Sequence, residues 1–228
     1  MSRRLPIGLV SVALLAAGCG GGGSKSNGEA DKTAKEIVAD AKAAAKKASS
    51  VHYSGSIAQS GTPLKVDIRI DGTKGGAGSI TIQGAPVEIV RVGNEAYLKG
   101  SAAFYKQIAG TAAAQLLNGK WLKGSATSGE LAALAELTDI NQLFEAALNP
   151  DGTITKGKET TVDGQKVIAI QSSEGGTLYV ATTGEPYPVE IKQASGDSTG
   201  AVHFDAWNEK VDVTAPKDAV DVSKLATG

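Results

Sequence analysis

Leu64-Lys65-Val66-Asp67-Ile68-Arg69-Ile70-Asp71 alternates apolar and charged side chains without interruption. Successive side chains of a strand point to opposite faces, so this stretch predicts a strand that is greasy on one side and wet on the other. Ile80 and Ile82 repeat the theme after a turn region from Gly72 to Gly78, and Val87, Ile89, Val90 and Val92 follow Pro86. Strict alternation breaks at Ile89-Val90, which predicts a bulge or a change of facing. With a further strand over Asn94 to Lys99, the region from Val51 to Gly100 accommodates about five antiparallel strands.

Working outward, the two-residue period returns after Pro150, over residues 152–162, 166–172, 177–182, 187–193, 201–207 and 210–213. Asp163-Gly164, Glu174-Gly175-Gly176 and Gly184-Glu185-Pro186 punctuate these runs with hairpin chemistry. Between the strand regions the period is helical. From Ser101 to Asn149 the chain is alanine-rich, with Phe104, Ile108, Leu116 and Leu117 near helical spacing. Leu131, Leu134 and Leu137, then Ile140, Leu143, Phe144 and Leu148, predict two short amphipathic helices, for which Ser128 and Thr138 or Asp139 offer starts. An opening helix is expected over Glu29 to Ser50, where Ile37, Val38, Ala41, Ala44, Ala45 and Ala48 share a shallow apolar face.

No strand–helix–strand alternation calls for a parallel sheet. An antiparallel sheet of about eleven strands with one apolar face must curl or be covered. The expected class is therefore α+β: a curved antiparallel half-barrel covered by the N-terminal helix and the helical middle segment.

The 228 residues carry a formal net charge of −1, which provides no field for gripping nucleic acid. At 41% hydrophobic and 21% charged, the chain fits neither a disordered nor a multispanning protein. Two histidines and one cysteine exclude a Cys/His zinc cluster and an internal disulfide, and no metal or cofactor is expected. Gly152-Thr153-Ile154-Thr155-Lys156-Gly157-Lys158 matches a phosphate-loop spacing, but Glu159 stands where a magnesium-binding hydroxyl is required and strand-like residues follow. His52 and His203 lie in no nucleophile motif, so the chain is not read as an enzyme and no catalytic residue is assigned.

The N-terminus has two arginines, Arg3 and Arg4, then an apolar run from Leu5 to Ala17. The run falls short of the ~20 residues of a spanning helix and has the plan of an export signal. Leu15-Ala16-Ala17-Gly18-Cys19 resembles the lipobox of bacterial lipoproteins, in which the cysteine is fatty-acylated and the chain is cut just before it. Ser2-Arg3-Arg4 also hints at a twin-arginine signal, although Pro6 stands where that motif wants a bulky apolar residue. The expected organisation is a lipoprotein signal peptide at 1–18, a flexible Gly/Ser tether at 19–28 beginning with lipidated Cys19, and one domain at 29–228.

The mature chain as a whole resembles the LolA-like superfamily, most nearly the LppX/LprG-type lipoproteins of actinobacteria. The resemblance rests on the lipobox, the helix-first order, Asn94-Glu95-Ala96-Tyr97-Leu98-Lys99-Gly100, the Gly119-Lys120-Trp121 step, the run from Gly176 to Pro188, and Phe204 to Val211 followed by Ala215-Pro216. It implies a domain lipid-anchored at the extracytoplasmic face of the cell membrane, with a hydrophobic cavity holding acyl chains of lipids, lipoglycans or lipoproteins. The inward positions Val66, Ile68, Ile70, Ile80, Ile82, Val87, Ile89, Leu178, Val180, Val189 and Ile191 would line that cavity, with Leu131, Leu134, Ile140, Phe144 and Leu148 as its lid. At about 0.8 kcal/mol per sequestered methylene, a 16-carbon chain would gain on the order of 12 kcal/mol before ordering costs. The same residues could instead close into a dry core. The chain would then be a tethered interaction or sensor module that meets another envelope protein.

Overall fold

Residues 25–59, 61–129, 131–150, 152–194 and 198–224 are described by a computed structural model. Residues 1–24, on which the expected signal peptide, Cys19 and most of the expected tether fall, lie outside the described residues. After a 3-10 turn at Glu29–Asp31 come α1 (Ala34–Lys47) and the meander β1 (Ser50–Gln59), β2 (Thr62–Asp71), β3 (Gly75–Ile82), β4 (Ala85–Val92) and β5 (Glu95–Gly100). The middle holds α2 (Ala102–Leu117), β6 (Leu122–Ser125), α3 (Ala132–Glu136) and α4 (Ile140–Ala147). A second meander follows, of β7 (Ile154–Val162), β8 (Gln165–Ser172), β9 (Gly176–Ala181), β10 (Pro188–Gln193) and β11 (Ser198–Asp205), and β12 (Val220–Asp221) comes last.

These strands form one 12-stranded open sheet in the order β12-β6-β5-β4-β3-β2-β1-β11-β10-β9-β8-β7. Two meanders are thus fused through the β1–β11 pair, and every pairing is antiparallel except β12 with β6. The sheet curves into the expected half-barrel, with helices in its concavity. Lys210 to Val213, expected as a strand, is irregular. Both edges of β11 are already occupied, by β1 and by β10, and the chain beyond it next pairs as a strand where Val220 meets Leu122.

Local rules account for the helix starts. Thr33 forms a capping box on α1: its Oγ1 accepts from Glu36 N, and Glu36 Oε2 accepts from Thr33 N at 2.9 Å. Asp139 Oδ1 caps α4 by accepting from the backbone N–H groups of Asn141 and Gln142. Ser128 does not cap α3; its hydroxyl bonds Ser125, and Leu131 precedes the helix with no side-chain cap.

No bulge interrupts β4. Its register with β3 and β5 is regular, and Ala85, Val87, Ile89 and Arg91 all face the core. The apparent break in alternation arises because an arginine takes an inward position. Register shifts occur instead between Lys156 and Glu159 on β7 and between Pro188 and Glu190 on β10.

One register row crosses the sheet from Gly100 through Val87, Ile80, Val66, Gly55, Val202, Ile191 and Leu178 to Ile170. The helices cover this concave face in two parts. Ile37 and Ala41 of α1 pack on Ile168, Ile170 and Val180 at the β7–β10 side. Phe104, Leu131, Ile140 and Phe144 pack on Ile68, Ile70, Val87 and Ile89 at the other. Each such Ile, Leu or Phe contributes about 1.5–3 kcal/mol relative to exposure.

The α3–α4 junction is seated by polar contacts. Arg91 Nε donates to Thr138 Oγ1 at 2.9 Å, and its terminal nitrogens donate to the carbonyls of Thr138 at 2.7 Å and Thr73 at 3.0 Å. Beneath the junction lies Gly76, where a Cβ would come within 3.0 Å of Thr138 Cβ. The Tyr53 hydroxyl donates to Leu137 O at 2.8 Å, and burial raises its pKa.

Candidate functional site

Where α1, the end of α4 and strands β7–β10 fail to meet, an apolar cleft of about 250 Å³ remains. Val38 contributes from α1 and Leu148 from the end of α4, while Ile154, Ile170, Leu178 and Ile191 rise from four successive strands. Asn149, Pro150, Ser172, Glu174, Thr177 and Gln193 line it as well. Ion pairs join α1 to α4. Lys42 and Lys46 both donate to Glu145, at 2.8 and 2.6 Å, and this pairing lowers the Glu145 carboxyl to a pKa of about 2. The start of α1 is pinned in turn by Lys32, which bridges Glu29 and Asp40, and by Lys156, whose ammonium donates to the carbonyls of Ala30 and Lys32.

Of the residues proposed from sequence to line a cavity, Leu148, Leu178 and Ile191 meet at this cleft. Ile68, Ile70, Ile80, Val87, Ile89, Leu131, Ile140 and Phe144 are instead buried against one another in the main core, with Val66 and Ile82 half-buried at its margin. Val180 is buried under α1 with Ile37 and Ile168. Val189 packs with Val167 and Ala181 on the opposite face, because the register shift at Pro188/Glu190 turns it away from Ile191. The side chain of Leu134, like Cys19, lies outside the described residues.

Sequence reading missed Val38, Ile154 and Ile170. Val167-Ile168-Ala169-Ile170 is continuously apolar and buried throughout, so its period could not tell which residues face the cleft. Five of the aromatics gather beside the core: Phe144 lies 5.1 Å from Phe204 and 5.4 Å from Trp207, Tyr187 stacks on Trp207 at 4.3 Å, and Tyr53 lies 6.3 Å from Phe204. A hollow of about 420 Å³ beyond Tyr187 and Trp207 is bordered by Gln165, Lys166, Thr183 and Glu185 and is unsuited to a hydrocarbon tail.

The outer face of the sheet carries the histidines. His52 stands 2.7 Å from Asp205 and 3.0 Å from Asp67, and His203 stands 3.0 Å from Asp163 and 3.2 Å from Glu190. Among the described residues no group of three or more His, Cys, Asp or Glu could hold a metal ion. The phosphate-loop look-alike runs directly into the extended strand β7, with no helix N-terminus behind it. No helix among the described residues is long and apolar enough to cross a membrane. The tether's end is tied to the domain: Ser26 bridges Thr183, Asn27 N donates to Thr182 O, and Asn27 Nδ2 donates to the carbonyls of Ala181 and Gly184.

No protein-family model matches the sequence, and neither does any curated protein. Solved structures do match in shape. LprF of Mycobacterium bovis superposes with a TM-score of 0.57 at 15% identity, over 85% of this chain and 99% of that one. The lipoprotein LppX of Mycobacterium tuberculosis gives 0.47 at 17% identity over 79% and 99%. A conserved protein of Thermus thermophilus gives 0.39 at 10% identity over 82% and 97%. At 15% identity the likeness to LprF is one of architecture: the chain shares the overall fold of that protein.

Proposed function

We propose that this protein is a lipoprotein, anchored through Cys19 at the extracytoplasmic face of the membrane, that binds one acyl tail of a lipid, lipoglycan or other acylated molecule in the cleft between α1, α4 and β7–β10. The cleft itself carries the reading: apolar side chains from six elements converge on an unfilled space that polar side chains also border. The lipobox-like Leu15 to Cys19 supports the anchor, and the fold shared with LprF supports the class.

The volume limits the ligand. If a methylene takes roughly the 30 Å³ of a liquid water molecule, 250 Å³ admits about eight of them. At about 0.8 kcal/mol each the gross gain is about 6 kcal/mol, half of what a fully buried 16-carbon chain would supply. Half a palmitoyl-length tail fits, and the remainder must lie in the mouth or displace side chains. The reading is non-catalytic.

A specific observation favours a second reading, a tethered module with a closed core that meets an envelope protein: beneath β1–β5 the concave face is packed shut, with Ile68 and Ile70 fully buried and Val87 1% exposed. Native mass spectrometry of the full chain carrying Cys19→Ser separates the two. Copurified lipid, or stoichiometric uptake of added palmitate, is expected from the first. A protein that stays dry at saturating palmitate leaves only the second.

A further inference from the structure

Away from the cleft, α2 is packed unlike the other helices. Of its residues only Phe104, Tyr105 and Ala114 are buried, and it holds the two most exposed large apolar side chains among the described residues, Ile108 at 63% and Leu116 at 58%. Both ends of the helix stand on one rim. Ser101 N donates to Pro86 O at the start, Gly119 N donates to Gly100 O at the end, and the Tyr105 hydroxyl accepts from Gly100 N. Between them Gly110, at φ 82°, breaks the helix into two short arms, a conformation only glycine adopts without strain.

Along the chain through this helix the charged residues have one sign. From Ala96 to Gly129 the chain contains Lys99, Lys106, Lys120 and Lys123 and no Asp or Glu. Lys99 and Lys123 are paired with Glu88 and Glu95, whereas Lys106 and Lys120 are exposed and have no carboxylate partner among the described residues. An exposed apolar helix flanked by unneutralised lysines matches an anionic bilayer surface, where apolar side chains enter the acyl boundary and ammonium groups meet headgroups.

We propose that α2 is a membrane-docking element whose Ile108 and Leu116 insert into an anionic lipid surface. Its position gives the docking a consequence. The register row that ends at Gly100 beneath α2 also passes Ile191, Leu178 and Ile170 in the cleft, so α2 rises from the same end of the half-barrel as the cleft. Docking brings that end to the lipid. The assignment holds whether or not the cleft takes a tail.

The test uses the full chain with Cys19→Ser and a single environment-sensitive fluorophore on Ile108→Cys, added to phosphatidylcholine vesicles containing about a third phosphatidylglycerol. Blue-shifted emission, quenched by lipids spin-labelled in the acyl region, is expected at position 108. The same fluorophore on Thr160→Cys, on exposed β7, should stay aqueous. Lys106→Gln with Lys120→Gln should weaken the vesicle partitioning read at position 108 by roughly 30-fold, since each lysine contributes about a factor of five at an anionic surface; circular dichroism checks that the fold is kept. Aqueous emission at 108 with vesicles present overturns the proposal, as does an equal shift with purely neutral vesicles. A shift that grows with protein concentration without lipid assigns the face to a second copy instead and overturns it too.

Discussion

Replacing Arg91 by methionine keeps most of the aliphatic stem and removes the fork that seats the α3–α4 junction. The buried carbonyl of Thr138 and the part-buried carbonyl of Thr73 then lose a donor, and Thr138 Oγ1 loses the Arg91 Nε–H that it accepts. Hydrogen bonds to a charged group contribute about 1.5–3 kcal/mol each, and removing one side of a buried polar cluster typically costs about 3–5 kcal/mol in all. Burial itself disfavours the guanidinium, lowering its pKa against the opposing pull of Asp139 at 3.5 Å, so part of the loss is returned when it is removed. The expected net destabilisation is about 3 kcal/mol, which with a urea m-value near 2.5 kcal/mol/M moves the midpoint down by roughly 1.2 M. Arg91→Lys, which retains charge but not the fork, should lose about half as much. Tyr53→Phe, which deletes only the bond to Leu137 O, should lose about 1 kcal/mol. Hydrogen exchange should quicken most from Thr138 to Leu148 and least in β8. A midpoint shift below about 0.4 M for Arg91→Met, or loosening spread evenly over the sheet, would refute the idea that this arginine holds the lid.

The remaining predictions concern the cleft's frame and lining. Because pairing with Lys42 and Lys46 lowers the Glu145 pKa from 4.5 to about 2, its contribution is present above pH 4.5 and is lost as the pH falls towards 2. Urea midpoints of the parent chain should therefore drop more steeply across that window than those of Glu145→Gln. Thr33→Ala removes the α1 cap and should cost about 1 kcal/mol in equilibrium unfolding, with no change in m-value. Leu178→Gln should weaken palmitate uptake about tenfold in a fluorescence displacement assay, whereas Val92→Gln, at an exposed position on β4, should leave it unchanged.

The sheet was legible wherever one face is wet, as in β2, whose exposed Lys65, Asp67 and Arg69 alternate with covered residues. Legibility failed where facing is decided by a partner distant in sequence. Arg91 reads as an outward residue until Thr138 and Thr73 supply its acceptors. Lys210 to Val213 has strand spacing but follows a strand whose two edges are already taken, while Leu122 to Ser125 is too short to show a period and pairs because β5 passes beside it. The apolar positions were found more readily than the space among them. Whether Ile191 faces a void depends on how α1 and the end of α4 sit over β7–β10, an arrangement of elements distant in sequence for which no local pattern exists.

Tether length links the two proposals, an anchor at Cys19 and docking through α2. About six peptide units separate Cys19 from Lys25, a reach of about 21 Å at full extension. From there the chain is held at Thr183, and the residue steps from Thr183 back to Gly176 beside the cleft span about 23 Å along the strand, or nearer 18 Å in height if the strands tilt by about 40°. A protein acylated at Cys19 can thus lay α2 on its own bilayer only with the tether nearly straight, which costs conformational entropy. Inserting ten Gly/Ser residues before Lys25 removes that constraint and should increase the blue shift of a fluorophore at position 108 in the acylated chain. Asn27→Ala, which releases Ser26 to Gly28 by deleting the bonds to Ala181 and Gly184, should act in the same direction and more weakly. If longer tethers leave the emission unchanged, α2 does not turn towards the anchoring bilayer, and the lysine-flanked face meets a different lipid surface.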